Sequence, residues 1–302
     1  MTATAPPMTA SPATSAPATS SLDTAAPAQP AEIATYVFAV CRDGDLSGVL
    51  ADVPGHRGGG ALRVLTAGGL MAVVQHVPAA EFSEEGLTKR LADRDELEAC
   101  ARAHHHVIHT VAQRAATAPL PLATIYRGDE RARSCVKESA ARFHATLDHI
   151  GDRVEWGIKV YAFPREATPA HRPTAIEAPG APAGPPERSA GRAYLDRVRG
   201  KQRVREQQQD AALQAAEETH RELCHRTVAA RRLRAHSPDM SGEHRPQMLN
   251  AAYLVDRHRS DTVPEAVEEL RSRSWARDVR IDVTGPWVPY SFADGEGAGN
   301  AR

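Results

Sequence analysis

The chain has 302 residues, room for two domains beyond any disordered ends. Its 37 basic and 38 acidic residues leave a formal charge of −1, which excludes a general electrostatic pull toward nucleic acid or an anionic membrane. Hydrophobic residues at 41% and charged residues at 25% fit a soluble globular protein; with aromatics at only 5%, its cores have to be built from Ala, Val and Leu. Cys41, Cys100, Cys135 and Cys224 are scattered, with no C-x-x-C or metal-ligand spacing, which suits a reducing cytosol.

Residues 1–31 are almost entirely Ala, Thr, Pro and Ser, and are expected to stay disordered because they bury too little apolar surface to offset ordering entropy. No basic residue precedes Arg42 and no apolar core of a signal peptide is visible, so a secretory signal is not expected. No run approaches the length of a membrane span. A cytoplasmic protein follows as the expectation.

Order is predicted to begin with a strand at Thr35–Cys41. Ala61–Leu65 and Leu70–Val77 flank Gly68-Gly69 and read as a hairpin. Glu84 to Arg114 carries one long helical pattern, with Leu87, Leu91, Leu97, Val107, Ile108 and Val111 on its apolar positions. Pro119–Tyr126 is held extended by its prolines, and Asp129–His149 reads as a second helix stopped by Gly151. Arg153–Phe163 is a strand with Val154, Trp156, Ile158, Val160 and Ala162 on one face. Glu155, Gly157, Lys159 and Tyr161 share the other face, where Glu155 and Lys159 read as solvated. A Pro/Ala-rich connection at 164–190 precedes a polar helical region from Arg192 to about His236, with a thin seam at Leu213, Ala216, His220, Leu223 and Thr227. Met248–Val255 is a strand, Pro264–Arg273 a short helix, and 277–285 a last strand in which Val279, Ile281 and Val283 alternate with polar residues. Gly285-Pro286 ends it, and Trp287, Tyr290 and Phe292 then crowd into a proline-stiffened tail that reads as a docking element, against the protein's own core or against a partner.

The chemistry-bearing residue types form no complete constellation. His105 and His109 lie one helical turn apart, but His106 stands where a metalloprotease H-E-x-x-H would need its glutamate, and consecutive histidines point about 100° apart. Arg57-Gly58-Gly59-Gly60 lacks the Lys-Ser/Thr of a phosphate loop, no serine sits in a G-x-S-x-G elbow, and no strand shows an RNA-binding aromatic pattern. No catalytic residue, metal or cofactor is therefore expected, and no nucleic acid or lipid membrane as partner. The element order strand, helical excursion, strand, helix, strand points to an α+β layer of ferredoxin-like type in the second half.

Glu155–Tyr161, Met248–Val255 and Gly285–Phe292 closely resemble the gas vesicle proteins of the F and L type (GvpF/GvpL), supported by Tyr36–Val40, His105–Ile108 and Pro119–Thr124. The resemblance spans about residues 35–292. It implies an α+β protein of two domains: a family-specific N-terminal α+β domain at 32–151 and a modified ferredoxin-like domain with extra helices at 152–292. The latter would include the flexible connection at 164–190 and a helical insertion at 191–240, with 293–302 frayed. It further implies a non-enzymatic, gas vesicle-associated accessory protein that acts in assembly by contacting the small hydrophobic main shell subunit and other accessory proteins. Trp156, Trp287, Tyr290 and Phe292 are then the expected partner-binding residues. The alternatives are a minor structural component of the mature vesicle and a metal-dependent enzyme at His105/His109.

Overall fold

Strand β1 (Ile33–Arg42) is apolar on both faces, and every residue from Ala34 to Cys41 is buried, as happens when a sheet is covered on both sides. The computed structural model describes residues 32–46, 48–163, 187–235 and 245–293. β1 lies between β3 (Leu70–Pro78) and β4 (Ala116–Pro119) in an antiparallel sheet of order β2-β3-β1-β4, with β2 at Leu62–Ala67 and the short β5 (Ile125–Tyr126) also pairing with β1. The β2–β3 hairpin turns on Gly68 and Gly69 at φ 61° and 77°, the left-handed pair that a two-residue turn of this kind requires.

The predicted single helix at 84–114 is two helices. Asp93 interrupts it, accepting hydrogen bonds from the backbone N–H groups of Asp95 (2.9 Å) and Glu96 (3.1 Å) and so starting α2 (Arg94–Ala112) after α1 (Glu84–Ala92) has ended. α2 buries Val107, Ile108 and Val111 against one face of the first sheet. The second predicted helix is likewise divided at Ser139, into α3 (Asp129–Glu138) and α4 (Ala140–Ile150).

β6 (Arg153–Ala162) enters the second sheet. Beyond it α5 (Glu187–Arg226) runs as one continuous helix of 40 residues, and Ala229–Arg232, expected to be helical, forms the edge strand β7. β8 (Gln247–Asp256), α6 (Thr262–Arg271) and β9 (Val279–Trp287) complete the half. The sheet order is β7-β8-β6-β9, all antiparallel. Numbered along this half, that is strand order 4-1-3-2 with helices after the first and third strands, the ferredoxin-like arrangement. Val154, Trp156, Ile158 and Val160 pack under α5 and α6, as their alternation predicts. The buried phase of α5 is Ala212, Ala215, Ala216, Thr219 and Leu223, whereas Leu213 of the expected seam is exposed. The expectations for 1–31, most of the 164–190 connection and most of the frayed end fall outside the described residues; 187–190 belong to α5.

A third core cluster joins the two sheets. Phe143, Leu147 and Ile150 of α4 meet Val37 and Val40 of β1 on one side and Ala252 and Leu254 of β8 on the other. The α3–α4 pair is therefore a layer used by both sheets. Asp129, in the first turn of α3, fastens that layer to the first sheet: it accepts from Thr35 Oγ1 (2.8 Å), Arg63 Nη1 (3.0 Å) and His76 Nε2 (3.1 Å), on three different strands. Hydrogen bonding to Arg63 holds its carboxyl well below the usual carboxylate range.

On the other face of the first sheet lies a buried ring cluster of Tyr36, Phe38, His56, Phe82 and His104. His104 Nε2 donates to the Leu120 carbonyl (3.0 Å), which leaves Nδ1 to accept from the Tyr36 hydroxyl (2.9 Å); that hydroxyl in turn accepts from the Ala123 N–H (2.9 Å). Burial lowers both His56 and His104 to about 4, so both are neutral in the fold.

Two pH dependences follow, and both weaken the fold as pH falls. Asp129 is depressed in the folded state, so its contribution is present above the unfolded carboxyl value and is lost as pH falls below it. Asp129→Asn is expected to cost about 1–3 kcal/mol at pH 7, read by chemical denaturation, and to flatten the acid limb below about pH 4. The two histidines are also depressed, so below pH 6.5 the unfolded chain takes up protons that the fold refuses, and stability falls. Each should contribute up to about 1.4 kcal/mol per pH unit between 6.5 and 4. In His104→Gln, which keeps one donor and one acceptor, that slope is expected to diminish.

Candidate functional site: the aromatic tail and its cleft

The site is made where the chain leaves β9. A register shift between Glu155 and Gly157 of β6 brings Trp287 opposite Glu155. Gly285 turns the strand at φ 138°, and a Cβ there would lie 2.9 Å from both the Glu155 carbonyl oxygen and the Trp156 ring. Only glycine fits this approach.

Glu155, expected to be solvated, is 8% exposed and is the hub of the tail. Its carboxylate accepts from the Ser291 N–H (2.8 Å) and the Ser291 hydroxyl (2.7 Å), while Arg231 of β7 donates to the Ser291 carbonyl. Burial pushes the Glu155 carboxyl up, and the two Ser291 bonds and the Arg231 charge pull against that shift. The alternation along β6 identified the face correctly; what covers that face is a segment more than 130 residues further along.

With Ser291 held, the side chains around it divide. Val288 is buried and Tyr290 half-buried against the α2 cluster of Val107, Ile108 and Val111. Phe292 is buried in the cluster shared by both sheets. Trp156, on the opposite face of β6, is buried under α5 and α6. Trp287 alone of the four expected partner-binding residues is well exposed, at 43%.

The histidine run on α2 meets this tail. The His105 ring stands edge-on to Trp287 (5.4 Å between centroids) and lies near-parallel to Tyr290 (6.0 Å) and to His109 (6.0 Å). Burial and then the neighbouring His109 and His106 lower its basicity. His104 points into the ring cluster, and His106 is exposed. The His105 imidazole thus faces the rings of the tail and that of His109 faces His105 and Gln113, and no group of three or more His, Cys, Asp or Glu side chains able to hold a metal occurs among the described residues.

Behind Trp287 lies a cleft of about 590 Å³. Its apolar walls are Ala112, Ala115, Ile150, Val154, Pro286 and Val288; His109 of α2 and Gln113 and Arg114 of the turn after it rim one side, and Arg153 of β6 and Arg257, just past β8, the other. Most rim charges are answered: Arg153 pairs with Asp256 (3.1 Å) and Arg257 with Asp152 (3.4 Å). The arrangement offers a fixed indole beside an apolar recess with a neutralised rim, suited to taking up an apolar side chain. The glycine run at 57–60, read as a flexible turn, is pinned elsewhere: buried Gln75 donates to the carbonyls of His56 (3.2 Å) and Gly60 (2.8 Å).

Removing the Glu155 carboxylate leaves the half-buried Ser291 donors without their acceptor. Glu155→Ala is expected to cost about 2–4 kcal/mol in chemical denaturation, and to expose the tail after Gly285 to limited proteolysis before global unfolding. Equal protection of the tail in the variant and the parent would contradict the role assigned to this contact.

Comparison with known proteins agrees with the fold. The family model described as gas vesicle synthesis protein GvpL/GvpF matches residues 34–294. The chain is 38% identical over 258 residues to gas vesicle protein L of Streptomyces sp. (strain CB03234), covering 85% of this chain and 92% of that protein. Among solved structures it resembles GvpF of Anabaena sp. PCC7120, with TM-score 0.55, 14% identity, and 86% and 96% of the two chains covered. GvpF of Microcystis aeruginosa matches with the same TM-score, 15% identity, and 86% and 98% coverage. At those identities the likeness to the solved structures is one of fold. No helix among the described residues is long and apolar enough to cross a membrane. By the family match over most of its length and by its identity to a gas vesicle protein L, the chain belongs to the GvpL/GvpF family of gas vesicle proteins.

Proposed function

We propose that this protein is a non-enzymatic assembly factor of the gas vesicle, working in the cytoplasm by covering apolar surface on the small hydrophobic shell subunit until that subunit is incorporated. A wall with gas on one side and water on the other needs a subunit with apolar surface that would aggregate if left in water. The observation that carries the reading is Trp287, held at the lip of an apolar recess by a tail whose other side chains are committed to the protein's own cores. A rigid, half-exposed indole beside a recess is the kind of contact that concentrates binding energy. Absence of catalysis is part of the same reading: around the cleft no nucleophile is paired with a base among the described residues.

The test is retention of the purified shell subunit on the immobilised full chain. Wild type is expected to retain it, and Trp287→Ala to lose about 30-fold in affinity, the ~2 kcal/mol scale of a truncated interface aromatic. Equal binding by folded Trp287→Ala overturns the cleft assignment; no binding by wild type overturns the partner. Persistence of the chain on washed, purified vesicles would instead identify a structural component.

A further inference from the structure

Helix α5 is longer than the sheet it serves. Its 40 residues run about 60 Å at 1.5 Å per residue, against about 33 Å for the ten-residue β6. Burial begins at Ala212; every described residue from Arg192 to Gln207 is exposed, so this half of the helix packs on nothing among the described residues.

The buried seam nevertheless continues into it. Tyr194 and Val198 precede Ala212 and Ala216 by 18 residues, five full turns, and so stand in line with them. They are 63% and 41% exposed. Read at alternating steps of four and three, the seam runs Tyr194, Val198, Lys201, Arg205, Gln208, Ala212, the spacing of a helix that packs along another helix. Its outer part is two large apolar residues followed by two cations.

Charge separates the two halves as well. Residues 192–206 hold six basic and two acidic residues, net +4 in a chain of net −1. In the packed half the arginines are answered: Arg226 by Glu222 (2.8 Å) and Glu269 (2.7 Å), Arg221 by Glu218 (2.6 Å). In the projecting half, Lys201 and Arg205 enter no ion pair among the described residues. A second copy laid on this seam would set cations against cations. A polyphosphate would meet the cations and leave Tyr194 and Val198 to be explained; a lipid surface buries an apolar face kept apart from the cationic one, whereas here Lys201 and Arg205 stand on the same line of the helix as Tyr194 and Val198. The occupant that answers both is a helix with apolar residues followed, one to two turns on, by carboxylates.

We propose that the projecting half of α5 is a docking surface for an acidic amphipathic helix of a partner protein, which packs on Tyr194 and Val198 and pairs carboxylates with Lys201 and Arg205. The surface is separate from the Trp287 cleft and does not depend on the role assigned to it.

The probe is a fluorescent 28-residue designed helix with Leu placed to meet Tyr194 and Val198 and Glu placed to meet Lys201 and Arg205, compared with its Glu→Lys counterpart by anisotropy on the full chain. The Glu helix is expected to bind at least tenfold tighter than the Lys helix. Lys201→Glu/Arg205→Glu should reverse that preference, Tyr194→Ala/Val198→Ala should weaken both by tenfold, and Trp287→Ala should change neither. Unchanged thermal unfolding of these surface variants confirms that they fold. The proposal is overturned by equal binding of the two helices, by no reversal in the charge variant, or by tighter binding of a 20-nucleotide single strand or of phosphatidylserine vesicles than of the Glu helix.

Discussion

A buried carboxylate governs the C-terminal tail. Placing Glu155 on the closed face of β6 costs several kcal/mol in lost hydration unless donors surround it. The donors come from Ser291, and the carbonyl of the same residue is held in turn by Arg231 of β7. One residue of the tail is thus tied to two strands of the second sheet. The positions of Val288, Tyr290 and Phe292 follow from that one fixed point, and each fills a gap in a core built largely from other elements. The tail's position is therefore specified by polar geometry, while its apolar side chains supply most of the gain in burying it.

The same contact explains why the histidine run and the aromatic tail, which look unrelated in the chain, form one surface. β9 carries the tail past the exposed side of α2, so His105 lies against Trp287 and Tyr290. An imidazole whose charge is disfavoured by burial and by two neighbouring histidines is a flat, weakly polar ring, and here it packs as one. The indole is thereby supported on one side and open on the other.

What was legible in the chain was periodicity. The alternation of β6 assigns Trp156 and its neighbours to the face under α5 and α6, and three of the four strands of the second sheet follow from the sequence of elements. What was hidden depended on partners distant in the chain. Period two says which face Glu155 occupies and nothing of what lies over it. Asp93 and Ser139 sit inside unbroken apolar periods, so the breaks between α1 and α2 and between α3 and α4 left no gap in the pattern. β7 is Ala-Ala-Arg-Arg, a composition with no strand preference of its own; pairing with β8 decides its conformation. The aromatic cluster at 287–292 announced a docking element, but its division into residues turned inward and one turned outward required the Ser291 contact, which no local spacing encodes.

α5 shows the same logic in reverse. Its inner half is polar in composition yet buried where Ala212, Ala215, Ala216 and Thr219 allow the helix to lie close on the sheet, so small residues, joined by Leu223 near its end, mark the packed stretch. Exposed large apolar residues appear where the helix has left the sheet, together with Lys201 and Arg205, which enter no ion pair among the described residues. A free helical extension stabilised only by its own hydrogen bonds is marginal, and Gly200 within it weakens it by about a further 1 kcal/mol relative to alanine. Its composition is explained by an interface more readily than by solubility: solvation alone would favour polar residues at 194 and 198, and a helix stabilising itself would favour alanine at 200.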